Sequence, residues 1–174
     1  MKEQLKKELQ STNEELIKVI SSFTDEQFNK IPFQGSWTGG QTADHLAISD
    51  SGTTKIMYDE TAKTERDSEK NIEVLRNLML NFDTKMKNPD FNTPSNGPHN
   101  KEELIAQFKE NETKQLEVID SKDLTETCTS FPLPSMGELT RIEWLYFNIY
   151  HKVRHTQQLK NILAKVSVNH NEEN

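Results

Sequence analysis

Apolar residues recur every three or four positions along most of this chain, and that spacing places them on one face of an α-helix. The pattern is clear between residues 2 and 23, where Leu5, Leu9 and Leu16 fall on a single stripe. Leu, Ile, Val and Phe together make up only 40 of the 174 residues. A core with so few apolar side chains needs them concentrated on long helix faces. The sequence therefore predicts a helical domain.

Helix starts are indicated by capping residues followed three positions later by Glu or Gln. Thr24, Thr38 and Ser135 have this spacing, and Asn100 precedes Glu103 in the same way. Thr24 opens only a short turn, because Pro32 follows closely. The predicted long helices run from Lys2 to Phe23, from Thr38 to about Thr61, from Asn100 to about Asp120 and from about Glu138 to Val166, with a shorter helix marked by Ile72, Leu75, Met79, Phe82 and Met86.

These elements predict an all-α fold, a four-helix bundle with a short additional crossover helix. No stretch has the alternation of a convincing strand, and six Gly and six Pro supply too few turns for a sandwich or barrel. The long connection between the second and third long helices permits a topology other than up-down-up-down, and the sequence leaves that choice open. We expect one domain over residues 1–168 and a flexible polar tail over 169–174.

Charge and composition exclude several classes of function. The net charge is −7 and no long basic run is present, which disfavours nucleic acid and anionic membranes as partners. No segment approaches the ~18 to 20 apolar residues of a transmembrane helix. The first residues lack the apolar core of a signal peptide, so we expect a cytoplasmic protein. The single cysteine, Cys128, is interpreted as an incidental thiol.

Three of the five histidines have the spacing of a metal site. His151 and His155 lie four residues apart on the last helix, so that both project from one face. The stripe that contains them is apolar at both ends, which predicts that they point inwards. His45 lies on the second long helix, and Ser49 and Gly52 beside it would leave room for a ligand. If these helices are neighbours, three imidazoles converge on one divalent ion; hydrogen-bonded core histidines are the alternative.

Other candidate ligands fit less well. His99 and His170 lie in polar segments and are expected to be solvated. Asp44, Asp50 and Glu143 are near in sequence, but none has the helical phase of the three histidines. They are therefore not expected to be ligands.

No general base can be assigned from the residues alone. Arg154, Gln158 and Tyr58 are polar candidates near the predicted site. Arg154 lies about 100° around the helix from His155, so its interpretation as a surface charge is favoured. The catalytic residues thus stay unknown.

The sequence resembles the DinB/YfiT-like superfamily. The resemblance is carried by Ser36-Trp37-Thr38 followed by His45-Leu46, and by the segment 131–145 leading to His151 through Gln158. It extends over nearly the whole chain in helix order. It implies a four-helix bundle in which His45, His151 and His155 hold one divalent metal ion, often nickel or zinc.

The resemblance also implies two kinds of reaction. Relatives include transferases and isomerases that use a low-molecular-weight thiol, and others are described as metal-dependent hydrolases. We therefore expect a hydrolase or a thiol-dependent S-transferase acting on a small molecule, with a non-catalytic metal-binding stress-response protein as the alternative. A homodimer is a further expectation, since small helical proteins often dimerise.

Overall fold

The computed structural model describes residues 2–84 and 88–168 of the chain. The four long helices and a short crossover helix confirm the predicted all-α bundle. The expected flexible tail, residues 169–174, lies outside the described residues, as does Met86 of the predicted crossover helix. In chain order the elements are α1 (Lys2–Ser21), α2 (Asp25–Asn29), α3 (Gly39–Tyr58), β1 (Thr61–Ala62), α4 (Ile72–Met79), a 3-10 turn (Asp90–Asn92), α5 (Lys101–Ser121), β2 (Thr127–Cys128) and α6 (Arg141–Val168).

The long helices form a ring in which α1 packs beside α6, α6 beside α3, α3 beside α5 and α5 beside α1. Helices α1 and α5 are antiparallel, since Lys6 pairs with Asp120 at 2.5 Å and Asn13, further along α1, contacts the earlier Glu112. Helices α3 and α5 run in the same direction. Ser51 contacts Asn111, and Thr54, further along α3, contacts Gln115, further along α5.

Helix α6 runs opposite to α3. Three residues in order along α3 contact residues of decreasing number on α6: His45 with His155, Asp50 with Lys152, and Thr53 with Asn148. The bundle is therefore up-down-down-up. The long crossover between α3 and α5, which contains α4, allows those two helices to run in parallel, and this settles the topology that the sequence left open.

The core consists of two apolar clusters separated by a polar layer. One cluster includes Leu5, Leu9 and Leu145, and the other includes Leu16, Phe108 and Leu159. The layer between them contains buried side chains that carry charge or amide groups. Four of these, which we call the polar cluster, are fully or almost fully buried: Asp50, Gln115, Asn148 and Lys152.

The predicted capping boxes at Thr24 and Thr38 are confirmed, and Asn100 caps α5 as expected. The third predicted box, at Ser135, is wrong. The Leu133 carbonyl accepts from Gly137 N at 2.9 Å, so this segment closes a tight loop with Ser135 and Gly137 at positive φ. Helix α6 begins later and is capped by Thr140, whose main-chain N–H donates to Glu143 Oε2 at 2.9 Å.

The sequence showed no convincing strand, and the structure adds two very short ones to the helical bundle. Strands β1 and β2 pair in an antiparallel ladder of two residues each, with Thr61 opposite Cys128. Two residues are too few for the alternation by which a strand is found in a sequence. Helices α3 and α4 end at Tyr58 and Met79, earlier than predicted. Within the described residues no helix combines the length and apolar character needed to cross a membrane.

Candidate metal site

The three predicted histidines converge at the interface of α3 and α6. His45 lies in the second turn of α3, and His151 and His155 lie one turn apart on α6. His155 Nε2 is 2.9 Å from His151 Nε2, which is 3.4 Å from His45 Nε2. Each side chain is buried, with no more than 8% of the residue exposed. We call these three residues the histidine cluster.

The second ring nitrogen of two histidines is fixed by a hydrogen bond. His45 Nδ1 lies 2.8 Å from the Asn92 carbonyl, which can only accept, so that nitrogen carries the proton. His155 Nδ1 lies 2.8 Å from Gln158 Oε1 in the same manner. In a neutral imidazole the other nitrogen then bears the lone pair. His45 and His155 therefore both direct an Nε2 lone pair toward His151, the arrangement that partner groups impose on metal-binding histidines.

Burial keeps the histidine cluster uncharged. Desolvation lowers the pKa of His45, although the Asn92 carbonyl and Asp44 oppose it. Burial lowers the pKa of His155 to about 3, and burial together with the neighbouring His155 holds the pKa of His151 well below its usual value. All three imidazoles are thus neutral near pH 7, the form in which histidine binds metals.

The cluster fits a divalent cation. The Nε2 lone pairs of His45 and His155 both face Nε2 of His151. They repel each other unless a positive centre lies between them. A proton on His151 Nε2 could be donated to only one of the two. Tetrahedral zinc with N–metal distances near 2.0–2.1 Å separates its ligand nitrogens by about 3.3 Å. The observed 3.4 Å between His45 and His151 matches this value, and the 2.9 Å between His151 and His155 is slightly shorter.

Aromatic rings enclose two of the imidazoles. The Trp37 ring lies 5.1 Å from that of His45, and the Phe147 ring lies 5.3 Å from that of His151. Trp37 is only partly buried and lies over His45. Trp144 is fully buried and packs against Phe147. These rings lower the local polarity, which strengthens ligand binding to a cation.

The three carboxylates that were not expected to be ligands have other partners. Asp44 accepts from Ser95 N at 2.9 Å, and Asp50 pairs with Lys152 at 3.1 Å. Glu143 accepts from Arg66 Nη2 at 2.7 Å and caps α6. Within the described part of the chain, the histidine cluster is the group of His, Cys and carboxylate side chains that lie close enough together to share one ion.

The structure places the three polar candidates differently relative to the site. The predicted position of Gln158 near the site is confirmed, since it contacts His155. Arg154 is not simply a surface charge, because it donates to the carbonyls of Met79, Asn81 and Thr84 in the crossover segment. The prediction that Tyr58 lies near the site is wrong. Tyr58 is at the far end of α3, where its hydroxyl donates to Lys114 O. Thirteen residues separate Tyr58 from His45, or roughly 20 Å along a helix.

Two further expectations fail. His99 is not solvated: its side chain is 7% exposed, and its Nε2 lies 3.3 Å from Asp44 Oδ2 and 3.0 Å from Ser95 Oγ. His170 lies outside the described residues. Gly52 is exposed on the outer face of α3 and contributes no space beside His45.

The contact between His45 and the Asn92 carbonyl could not be predicted, because every residue type carries a main-chain carbonyl and these two residues are 47 positions apart. The pairing of Asp50 with Lys152 was missed for another reason. Lys152 shares the helical phase of Asn148 and Thr156, and Asp50 that of Thr54 and Met57, all of which are buried. A charged residue in a buried phase on each of two helices is the signal that could have identified the pair.

Cys128 is unsuited to act as a nucleophile. It is buried in β2, within the apolar cluster that contains Leu5. Burial raises the pKa of its thiol to about 11, so it is protonated at neutral pH. This agrees with its interpretation as an incidental thiol.

Comparison with known proteins gives a consistent result. The sequence pattern of the DinB superfamily matches residues 8–159. An uncharacterized protein of Bacillus subtilis (strain 168), YuaE, is 26% identical over 153 residues, covering 84% of this chain and 90% of YuaE. The crystal structure of TT2238, a four-helix bundle protein, has a TM-score of 0.59 and 20% identity, covering 92% of this chain and 99% of TT2238. At that identity the similarity to TT2238 shows the fold alone.

Proposed function

The chain belongs to the DinB superfamily, and from this we propose that His45, His151 and His155 bind one divalent metal ion, nickel or zinc, in a metal-dependent enzyme that acts on a small molecule. The observation that carries the proposal is the convergence of three buried neutral imidazoles, each offering a nitrogen to one point. Three neutral ligands leave the full charge of the ion uncompensated. That charge is available to a fourth ligand from outside the protein.

An ion held by these residues would supply Lewis-acid chemistry, lowering the pKa of a water or thiol that binds to it. The protein residues set its orientation: the Asn92 carbonyl and Gln158 hold the rings of His45 and His155, and Trp37 and Phe147 keep bulk water away. Arg154 binds the crossover segment to α6 directly beside His155. Hydrolysis and thiol S-transfer both use such a site, with water or a low-molecular-weight thiol as the second reactant.

A non-catalytic metal-binding stress-response protein is the alternative. Structural zinc sites are almost always closed by four protein ligands, whereas catalytic sites have three and keep a position open. Within the described residues three candidate ligand side chains lie together, and the nearby carboxylates have other partners. This donor set supports the enzyme over the structural role.

Metal analysis tests the site first. We expect one nickel or zinc ion per chain after reconstitution, measured by mass spectrometry of the metal, and a higher melting temperature with metal than without it. His151→Ala and His45→Ala should abolish both effects. His99→Gln is the matched control, since it removes an imidazole outside the histidine cluster and should leave uptake unchanged. Wild-type protein with neither bound ion nor thermal response would remove the proposed site.

Activity is tested with the same proteins. Low-molecular-weight thiols are screened against electrophilic substrates, and ester and amide substrates are screened without thiol. Turnover that requires both metal and thiol identifies an S-transferase, and turnover with metal alone identifies a hydrolase. If His151→Ala loses metal but retains the melting temperature and every measured activity, both the catalytic and the structural roles are wrong.

The homodimer and the cytoplasmic location stay predictions. Sedimentation velocity of the purified protein and fluorescence of a tagged chain in cells test them directly. Neither bears on the metal site, which is formed by residues of one chain.

A further inference from the structure

The interface of α3 and α6 is polar over more than two helical turns. The histidine cluster occupies one end. Moving along α3, Asp50 follows with Lys152 Nζ at 3.1 Å, and then Thr53, whose hydroxyl donates to Asn148 Oδ1 at 2.6 Å. From the neighbouring helix α5, Gln115 Nε2 donates to Asp50 Oδ1 at 2.8 Å. The polar cluster thus joins three helices at the centre of the bundle.

Each member of the polar cluster has an atom with unused hydrogen-bonding capacity. Among residues 2–84 and 88–168, no partner satisfies Asp50 Oδ2, Gln115 Oε1, Asn148 Nδ2 or Lys152 Nζ, the last of which approaches Asp50 without hydrogen-bond geometry. All four residues are at most 2% exposed. A buried polar atom without a partner destabilises the folded state. Four such atoms on side chains of adjoining helices point to a ligand that satisfies them.

The four atoms are chemically complementary to water. Lys152 Nζ and Asn148 Nδ2 are donors, whereas Asp50 Oδ2 and Gln115 Oε1 are acceptors. A water molecule accepts two hydrogen bonds and donates two, and buried waters typically make about three. We propose that the polar cluster, where Asp50 and Lys152 meet Gln115 and Asn148, is an internal binding site for at least one ordered water that bridges α3, α5 and α6.

An ion suits this site less well than water. The charges of Asp50 and Lys152 cancel, so the cluster has no net charge to attract an ion of either sign. An anion near Lys152 would be repelled by Asp50, and a cation near Asp50 would be repelled by Lys152. The histidine cluster differs from the polar cluster because its nitrogen lone pairs face one another and none of its three side chains carries a positive charge.

The direct test is a high-resolution crystal structure of the wild-type protein. We expect a water within about 3.2 Å of at least three of the four atoms. Side chains that satisfy one another directly, with no water between them, would overturn the proposal. A bromide soak tests whether the site binds an anion. Anomalous density at Lys152 would show that it does and would overturn the proposal of a water site.

A second test counts long-lived internal waters in solution by oxygen-17 magnetic relaxation dispersion. The variant Gln115→Leu/Asn148→Leu removes one acceptor and one donor and fills their space, while Asp50 and Lys152 still pair. Its count should fall by at least one relative to wild type. Gln107→Leu is the control, because Gln107 also lies on α5 but donates to Ser51 outside the polar cluster. An unchanged count in the folded double variant contradicts the proposal, and if that variant does not fold, the crystal structure decides.

Discussion

The histidine cluster and the polar cluster lie side by side between the same two helices, yet they differ in whether their charges and lone pairs are compensated by groups of the protein. The polar cluster contains one cation and one anion, and its donors match its acceptors. The histidine cluster contains three neutral rings whose lone pairs converge. The first is complete with water, whereas the second needs a positive charge from outside. Buried polar groups therefore call for a charged ligand only where their own charges and lone pairs do not balance one another.

The largest expected effect is on the polar cluster. Lys152→Met leaves the Asp50 carboxylate buried without its counter-charge, and breaking a buried ion pair from one side costs about 3–5 kcal/mol. The free energy of unfolding, measured by urea denaturation, should fall by that amount. Lys55→Met is the matched control, because Lys55 forms an exposed pair with Asp59 whose loss costs about 0–1 kcal/mol.

The double variant Asp50→Leu/Lys152→Met removes both charges at once. Replacing a buried pair by apolar residues of similar volume is often neutral or stabilising. Stability should therefore return to within about 1 kcal/mol of wild type. A double variant as unstable as Lys152→Met would show that the pair does more than balance its own charges.

Metal binding should separate the two clusters. At a free metal concentration of 100 times Kd, nickel or zinc should raise the free energy of unfolding by about 2.7 kcal/mol, because the ion binds the native state. His151→Ala should lose this gain, whereas Asp50→Leu/Lys152→Met should keep it. Urea denaturation with and without metal is the measurement. A gain that disappears in the double variant would mean that the two clusters are coupled.

Acid should weaken the metal-free protein through the histidine cluster. The pKa of His155 is lowered to about 3 in the native state, against about 6.5 in an unfolded chain. Between these values the unfolded state binds more protons, so stability is full above pH 6.5 and falls as the pH decreases. For one such histidine the loss between pH 7 and pH 5 is about 2 kcal/mol.

His155→Gln should reduce this dependence, and urea denaturation at several pH values measures it. The range stops at pH 5 so that protonation of carboxylates adds little. Equal slopes in His155→Gln and wild type would show that His155 is not held neutral by the fold.

The long helices and the histidine cluster could be predicted from the sequence. Helical periodicity identified the four long helices, and the spacing of His151 and His155 together with the position of His45 predicted which histidines meet. These patterns are readable because a helix repeats over many residues. The two-residue strands are too short to repeat, and the start of α6 was misplaced because Ser135 and Thr140 both have the spacing of a cap.

The partners of the site could not be predicted in the same way. The Asn92 carbonyl reaches His45 through a turn in the crossover, and a main-chain acceptor is common to every residue type. The buried pair of Asp50 and Lys152 was not predicted, because charged side chains are generally expected to face water. The pairing became evident only from the contact between α3 and α6.

The smallest expected effect concerns the orientation of one ring of the histidine cluster. Gln158→Leu removes the acceptor that orients His155 through Nδ1 while leaving all three ligands in place. Loss of such a partner typically lowers metal affinity by 10- to 100-fold, and we expect about tenfold here, since Gln158 is partly exposed. Competition with a chelator measures the change. Gln157→Leu is the matched control, because Gln157 is exposed and bonds to Asn161. Equal affinities in the two variants would show that packing, not Gln158, orients His155, whereas a change confined to Gln158→Leu would show that this polar contact serves the site.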